Sequence, residues 1–196
     1  MRRTRGKQRM AAGLYVKKTL LDAGQIRRMV RRMAGELVER NEGVEDLLLV
    51  GIRTRGVPLA ERLAEEVEAM EGRPLPLGVL DITLYRDDLS TIAPQPVVKE
   101  SHFPVPVEGK TVVLCDDVLY TGRTVRAALD ALLDYGRPRA VQLAVLVDRG
   151  WRELPIQADL VGLALGTSAS EVIKVAFAPT DDGEEAVKLL DRGAGG

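Results

Sequence analysis

The residues with the clearest chemistry lie in one stretch, Val112-Val113-Leu114-Cys115-Asp116-Asp117-Val118-Leu119-Tyr120-Thr121-Gly122-Arg123-Thr124. An apolar run meets two acids, then a Thr-Gly-x-Thr turn, then helix-forming sequence. Such a turn offers backbone N–H groups and two hydroxyls at a helix start, a cradle for a phosphate. Gly122 lets the backbone come close to the anion. Two carboxylates beside a phosphate do not bind a second phosphate. Asp116 and Asp117 instead suit sugar hydroxyls or a magnesium shell. A sugar phosphate satisfies both halves of the stretch. It is not a Walker loop, because no Gly-Lys-Ser/Thr follows, nor a dinucleotide fingerprint, because GxGxxG is absent. A plain strand–turn–helix connection with aspartate caps explains each short piece but not the ordered string.

Those residues need a scaffold. Asp22 reads as an N-cap. Ile26, Met29, Val30, Met33, Ala34, Leu37 and Val38 follow at helical spacing on one face. Residues 47–52 form a continuous apolar run, as in a strand buried on both sides. A helix is expected over 57–70, with Pro58 just inside it and Gly72 at its end. Residues 75–84 read as a strand and 86–96 as a polar loop. Residues 111–115 and 139–147 read as buried strands, with a helix over 123–135 between them and Gly136 after it. Shorter strands are expected near 160–165, 171–177 and 185–190. Residues 193–196 read as a loose tail. Alternation of strand and helix predicts an α/β fold with a mainly parallel sheet. Ligands then sit beyond the carboxyl ends of the strands, in the loops after 52, 115 and 147.

Composition narrows the classes. The chain has 196 residues, 45% of them hydrophobic and 29% charged, a globular balance. The formal net charge of −1 conceals +9 over residues 1–40 and −10 over the rest. A uniformly basic nucleic-acid binder is excluded, but a basic face on an acidic body is not. Residues 1–13 read as a disordered basic arm, and residues 14–196 as the domain proper. One cysteine and one histidine leave no internal disulfide, zinc cluster or Ser-His-Asp triad. Cys115 reads as core and His102 as exposed and uninvolved. No apolar run is long enough to span a membrane, and a cytoplasmic location is expected.

The Asp116–Thr124 string resembles the phosphoribosyl diphosphate motif of type I phosphoribosyltransferases. Residues 81–89 (DITLYRDDL), Gly136-Arg137-Pro138 and residues 143–150 (LAVLVDRG) resemble one branch, the bacterial pyrimidine operon regulators of the PyrR family. The resemblance runs from about Leu21 to Lys174. It implies the type I phosphoribosyltransferase fold, a mainly parallel sheet flanked by helices with a small hood. It implies two roles on one chain: uracil phosphoribosyltransferase, and RNA-binding regulator of pyrimidine genes by attenuation. The alternative is a phosphoribosyltransferase without RNA regulation, for uracil or another nucleobase.

Position by position, the resemblance implies that Thr121, Gly122, Arg123 and Thr124 hold the 5-phosphate. Asp116 and Asp117 hold the ribose hydroxyls. Thr54, Arg55 and Gly56 form the diphosphate loop. Tyr85 and Arg86 lie on a mobile loop, and Val147, Asp148 and Arg149 face base and magnesium, with Asp148 as the metal ligand. Arg55, Arg86 and Asp117 carry catalysis. Mg2+ is the implied cofactor; phosphoribosyl diphosphate, uracil and UMP are the implied ligands. No catalytic histidine or cysteine is required. Diphosphate leaves a ribosyl centre of oxocarbenium character, and arginines and magnesium neutralise the leaving charge.

Arg27, Arg28, Arg31 and Arg32 share the helix face opposite the apolar stripe, with Arg40 farther along. A solvated charged face is the usual explanation. The resemblance instead implies RNA contacts at Arg31, Arg32, Arg40 and Arg152, to a pyrimidine leader RNA. Three family cations are missing, replaced by Gln157, Leu163 and Ala169. Each lost phosphate contact lowers the salt slope by about 0.7–0.9. Trp151 could stack on a base or pack as a core or subunit contact. A homodimer or tetramer is expected from the family alone.

Overall fold

The computed structural model describes residues 14–87, 99–178, 181 and 183–192. The expected basic arm at 1–13, the expected tail at 193–196 and most of the expected polar loop lie outside the described residues.

The chain folds as two units. The larger, residues 29–165, holds a five-stranded parallel sheet in the order β3-β2-β4-β5-β6. These strands are β2 (Leu47–Ile52), β3 (Leu77–Leu80), β4 (Thr111–Leu119), β5 (Ala140–Asp148) and β6 (Leu160–Ala164). All six residues of β2 are buried, as its unbroken apolar run requires. Helix α2 (Gly56–Glu71) follows β2, and α3 (Arg123–Leu133) follows β4.

Alternation along the strands sorts the packing. Leu48, Val50, Leu114, Leu143 and Val145 share one cluster with Val125, Ala128 and Leu132 of α3. Helix α2 covers the other face, where Gly51 lacks the Cβ that would sit 2.5 Å from Val57 Cα. Helix α1 (Ala23–Arg40) reaches the same face. At Gly162 an added Cβ would stand 2.7 Å from Met29 Sδ and 2.4 Å from the Leu146 carbonyl.

The smaller unit comprises the two ends of the chain. Its antiparallel sheet has the order β1-β8-β7, from β1 (Leu14–Asp22), β7 (Glu171–Ala176) and β8 (Ala186–Arg192). The Lys17 ammonium bonds Glu171 Oε1 at 2.6 Å, and the Ser168 N–H donates to Glu171 Oε2 at 2.7 Å.

Most expected elements are present, with four differences. The strand expected over 111–115 runs on to Leu119, so Asp116 and Asp117 lie within β4 rather than in the loop after it. β1 falls in a stretch left unassigned by periodicity, because pairing with β8 rather than alternation makes it a strand. The strand expected over 75–84 stops at Leu80. Asp81 Oδ1 accepts from the Thr83 N–H at 2.8 Å and from its hydroxyl, turning the chain into a 3-10 turn at Thr83–Tyr85. The helix expected over 123–135 closes at Leu133. The Asp22 cap is as expected: its Oδ1 accepts the Gln25 N–H at 2.8 Å, and Gln25 Oε1 accepts the Asp22 N–H at 2.9 Å.

The Lys17 hydrogen bond and charge hold the Glu171 carboxyl at about 2, against an ordinary 4.5. A lowered native pKa stabilises above the unfolded value and is lost as pH falls from about 4.5 through about 2. Glu171→Gln is expected to weaken amide-exchange protection of β1, β7 and β8 at neutral pH. Wild type and variant should converge toward pH 2; a constant difference at every pH would refute this origin.

Candidate active site

The parallel register carries the carboxyl ends of β2, β4 and β5 to one edge of the sheet. Gly51 pairs with Cys115, and Leu119 with Asp148. The loop after β2 touches the middle of β4. A Cβ on Gly56 would stand 2.0 Å from the Cys115 carbonyl oxygen and 3.3 Å from Asp116 Cα. Only glycine fits there, and it brings Thr54-Arg55-Gly56 against the acid pair. The Arg53–Thr54 peptide is cis. Arg53 Nη2 donates to the Glu100 carbonyl at 3.2 Å, while its Nε is buried with no hydrogen-bond partner among the described residues.

Asp116 is buried, with its Oδ1 accepting the Asp117 N–H at 2.9 Å. Burial and the neighbouring Asp117 charge push the Asp116 carboxyl well above the ordinary range, and the Arg86 charge opposes them. Burial also raises Asp117, with Arg55 pulling the other way. Arg55, Arg86 and the two aspartates therefore form one electrostatic group.

The Thr-Gly-x-Thr turn follows. Gly122 has φ +93° and sits at the start of α3, with no side chain capping the helix. Thr121 Oγ1 accepts the Arg123 N–H at 3.3 Å, a weak contact. The start of α2 at Arg55 likewise has no side-chain cap. Two helix N-termini with N–H groups available for anions thus flank the acid pair.

Some expected residues point elsewhere. The Arg123 side chain bonds Glu153 and Asp87, each at 2.7 Å, so only its backbone faces the start of α3. The Tyr85 hydroxyl bonds Asp134, at the opposite end of α3 from the cradle. Val147, expected beside the base, is fully buried and its side chain is core packing. Arg149 is buried with its guanidinium 4.0 Å above the Tyr120 ring. Tyr120, half-exposed on this rim, escaped the sequence reading, although it sits inside the motif. Asp81 escaped too: besides Thr83, it accepts the Lys99 N–H at 2.6 Å, and its own N–H donates to the Ser101 hydroxyl at 2.9 Å. The Asp-x-Thr pattern at 81–83 was the available signal. Cys115 is buried and His102 exposed, as expected.

The stripe arginines are exposed but engaged. Arg31 pairs with Glu66 at 3.0 Å. Arg32 Nη2 donates to the Val161 and Gly162 carbonyls of edge strand β6 at 2.9 and 2.7 Å. Arg40 pairs with Asp159 at 3.3 Å. Trp151 is 51% exposed, which rules out a core role within this chain.

Comparison with known proteins agrees with this geometry. Residues 17–177 match the phosphoribosyl transferase domain family. A "Bifunctional protein PyrR" of Deinococcus deserti is 58% identical over 175 residues, covering 89% of this chain and 95% of that one. The chain belongs to the PyrR family of phosphoribosyltransferases. The protein of the same name from Thermus thermophilus is 57% identical over 176 residues, covering 90% of this chain and 97% of its own. A hypoxanthine-guanine phosphoribosyltransferase from Bacillus anthracis superimposes with TM-score 0.65 at 17% identity, over 88% of this chain and 97% of that one. That identity shows the fold alone. The type I phosphoribosyltransferase fold expected from the sequence is the fold observed. The family also bears out the reading as a PyrR-like regulator with uracil phosphoribosyltransferase activity. No helix among the described residues is long and apolar enough to cross a membrane.

Because its native pKa is raised, the acid pair binds protons more readily folded than unfolded. Stability then rises as pH falls from neutral through the raised range, down to the ordinary value of 3.8. Asp117→Asn is expected to raise the melting temperature at neutral pH, by about 2–4 °C for each kcal/mol relieved. It should also flatten the dependence of melting temperature on pH. An unchanged or lower melting temperature would show that burying the pair costs nothing.

Proposed function

We propose that the site transfers the phosphoribosyl group of phosphoribosyl diphosphate to uracil, giving UMP and diphosphate. One observation carries this reading. Two uncapped helix N-termini follow the adjacent parallel strands β2 and β4, and between them stand two consecutive carboxylates of β4, Asp116 buried and Asp117 partly so. A ligand with anions at both ends and hydroxyls between them fits that order.

In this reading the backbone of Thr121, Gly122, Arg123 and Thr124 takes the 5-phosphate, and Thr54, Arg55 and Gly56 take the diphosphate. The buried Arg53 Nε faces the same need for an anion. Asp116 and Asp117 accept from the ribose hydroxyls. Uracil N1 bonds to the anomeric carbon as the carbon–oxygen bond to diphosphate breaks; the electron pair leaves with diphosphate, which also takes up the N1 proton. Arg55 and Arg86 stabilise that leaving charge. Asp148 and Arg149 lie at the carboxyl end of β5, where the base would enter.

The donor set suits Mg2+. Each Asp148 oxygen accepts from the protein, one from the Gly150 N–H at 2.9 Å and one from Arg152, leaving further lone pairs for a hard cation. Magnesium commonly uses one or two carboxylates plus substrate phosphates and water, and no larger metal cluster appears among the described residues. When bound, the ion would neutralise charge on the departing diphosphate. Burial opposes the Asp148 charge, but the Arg152 and Gly150 hydrogen bonds outweigh it and keep the carboxylate ionised.

Incubation with Mg2+, phosphoribosyl diphosphate and each nucleobase in turn should release diphosphate with uracil. Arg55→Ala and Arg86→Ala should each lower kcat/KM by about 100- to 1000-fold. Release with hypoxanthine and none with uracil would replace uracil by a purine.

The second proposed role is regulation through pyrimidine leader RNA, on a homodimer or tetramer. The exposed Arg27–Arg32 stripe supports it. The engaged state of Arg31, Arg32 and Arg40, and the surface position of Gln157, support a weaker RNA face. Gln157→Arg with Ala169→Arg should tighten leader binding and steepen its salt slope by about 0.7–0.9 per added contact. An unchanged slope in a gel-shift salt series would place the RNA elsewhere.

A further inference from the structure

The guanidinium of Arg152 meets four acceptors. Nε donates to the Ile156 carbonyl at 2.9 Å. Nη1 donates to the Tyr120 carbonyl at 2.8 Å and to that of Gly150 at 3.1 Å. Nη2 donates to Asp148 Oδ2. Four of the five N–H donors are taken, and the side chain is 23% exposed. Such a group has little left to offer an RNA phosphate.

The acceptors lie on two segments. Asp148, Gly150 and Ile156 belong to the chain after β5. Tyr120 immediately precedes the phosphate turn. The same two segments meet again where the Glu153 and Leu154 N–H groups donate to the Thr121 carbonyl, at 2.9 and 3.2 Å. Gly122 completes the seat, since a Cβ there would touch Leu154 and Ile156 at 3.4 Å. Trp151, next to Arg152, is held at φ +63°, a conformation bulky residues rarely adopt.

We infer that Arg152 is a positioning residue for phosphoribosyl transfer, pinning the chain after β5 to the phosphate turn so that Asp148 and the Thr121–Thr124 cradle keep one spacing. The inference rests on the proposed reading of those residues as the substrate site. The planar fork is what the geometry requires. Lysine could keep the charge beside Asp148, but its compact ammonium could not serve three carbonyls on separate segments.

Arg152→Ala should lower kcat/KM for UMP formation by about 10- to 100-fold, as for other residues that orient a site ligand. Arg152→Lys should recover little of it. Trp151 is the only tryptophan, so its fluorescence anisotropy reports the order of this segment. It should fall in both variants. A cavity of about 500 Å3 opens beside Asp148, Arg152 and Ile156. Guanidinium ion added to Arg152→Ala should therefore restore part of both activity and anisotropy, which a misfolded variant could not do. Full activity in Arg152→Ala, or full recovery in Arg152→Lys, would overturn the fork role. Should wild type make no UMP, the substrate reading fails; the anisotropy and its rescue then still decide whether Arg152 pins the segment.

Discussion

Two adjacent carboxylates, Asp116 and Asp117, lie within the last four residues of the central strand of a parallel sheet, and burial makes both reluctant to ionise. This is a cost the fold carries without a ligand. Removing a carboxylate from water is unfavourable, and a second one beside it adds repulsion. Arg55 and Arg86 offset part of that cost, each approaching from a different loop. The remainder is relieved by whatever donates hydrogen bonds to the pair. A site built this way is poised for hydroxyls or a cation and rejects a bare anion at its centre.

The scaffold keeps that arrangement from collapsing. Parallel pairing in register brings the ends of β4 and β5 level, with β2 ending alongside Asp116, and a helix start follows each of β2 and β4. Neither N-cap residue caps its helix with a side chain, and only the long Thr121 Oγ1 contact reaches the first N–H of α3. An ordinary Ser, Thr or Asp cap would stabilise each helix by about 1 kcal/mol and would fill the space an anion needs. Gly56 shows the same choice sterically. Its missing Cβ permits contact between the β2 loop and the β4 backbone that no other residue allows.

Much of this was legible because it is local. Continuous apolar runs marked β2, β4 and β5, and the acid-to-threonine string marked the passage from β4 through Gly122 into α3. The parts that were not legible depend on partners distant in sequence. β1 exists through pairing with β8, some 170 residues later in register. Tyr85 matched a motif by position, yet its hydroxyl bonds Asp134 at the far end of α3. Val147 matched likewise and is core. A motif conveys which residues share a stretch; the pleat and the neighbouring helix decide which way each points.

The arginines show why a charge count cannot stand for a surface. The sequence places a net +9 in residues 1–40. In the fold, Arg31 answers Glu66, Arg40 answers Asp159, and Arg32 covers carbonyls on the open edge of the sheet. Edge carbonyls left bare invite pairing with another strand, so a guanidinium laid along them protects the fold. Each exposed pair is individually weak, within about 1 kcal/mol. A polyanion could compete for Arg31 or Arg40 at modest cost. Arg32 is different, because leaving β6 would uncover two carbonyls at once. Electrostatic attraction and sheet protection therefore draw on the same helix but on different residues, Arg31 and Arg40 for the first and Arg32 for the second.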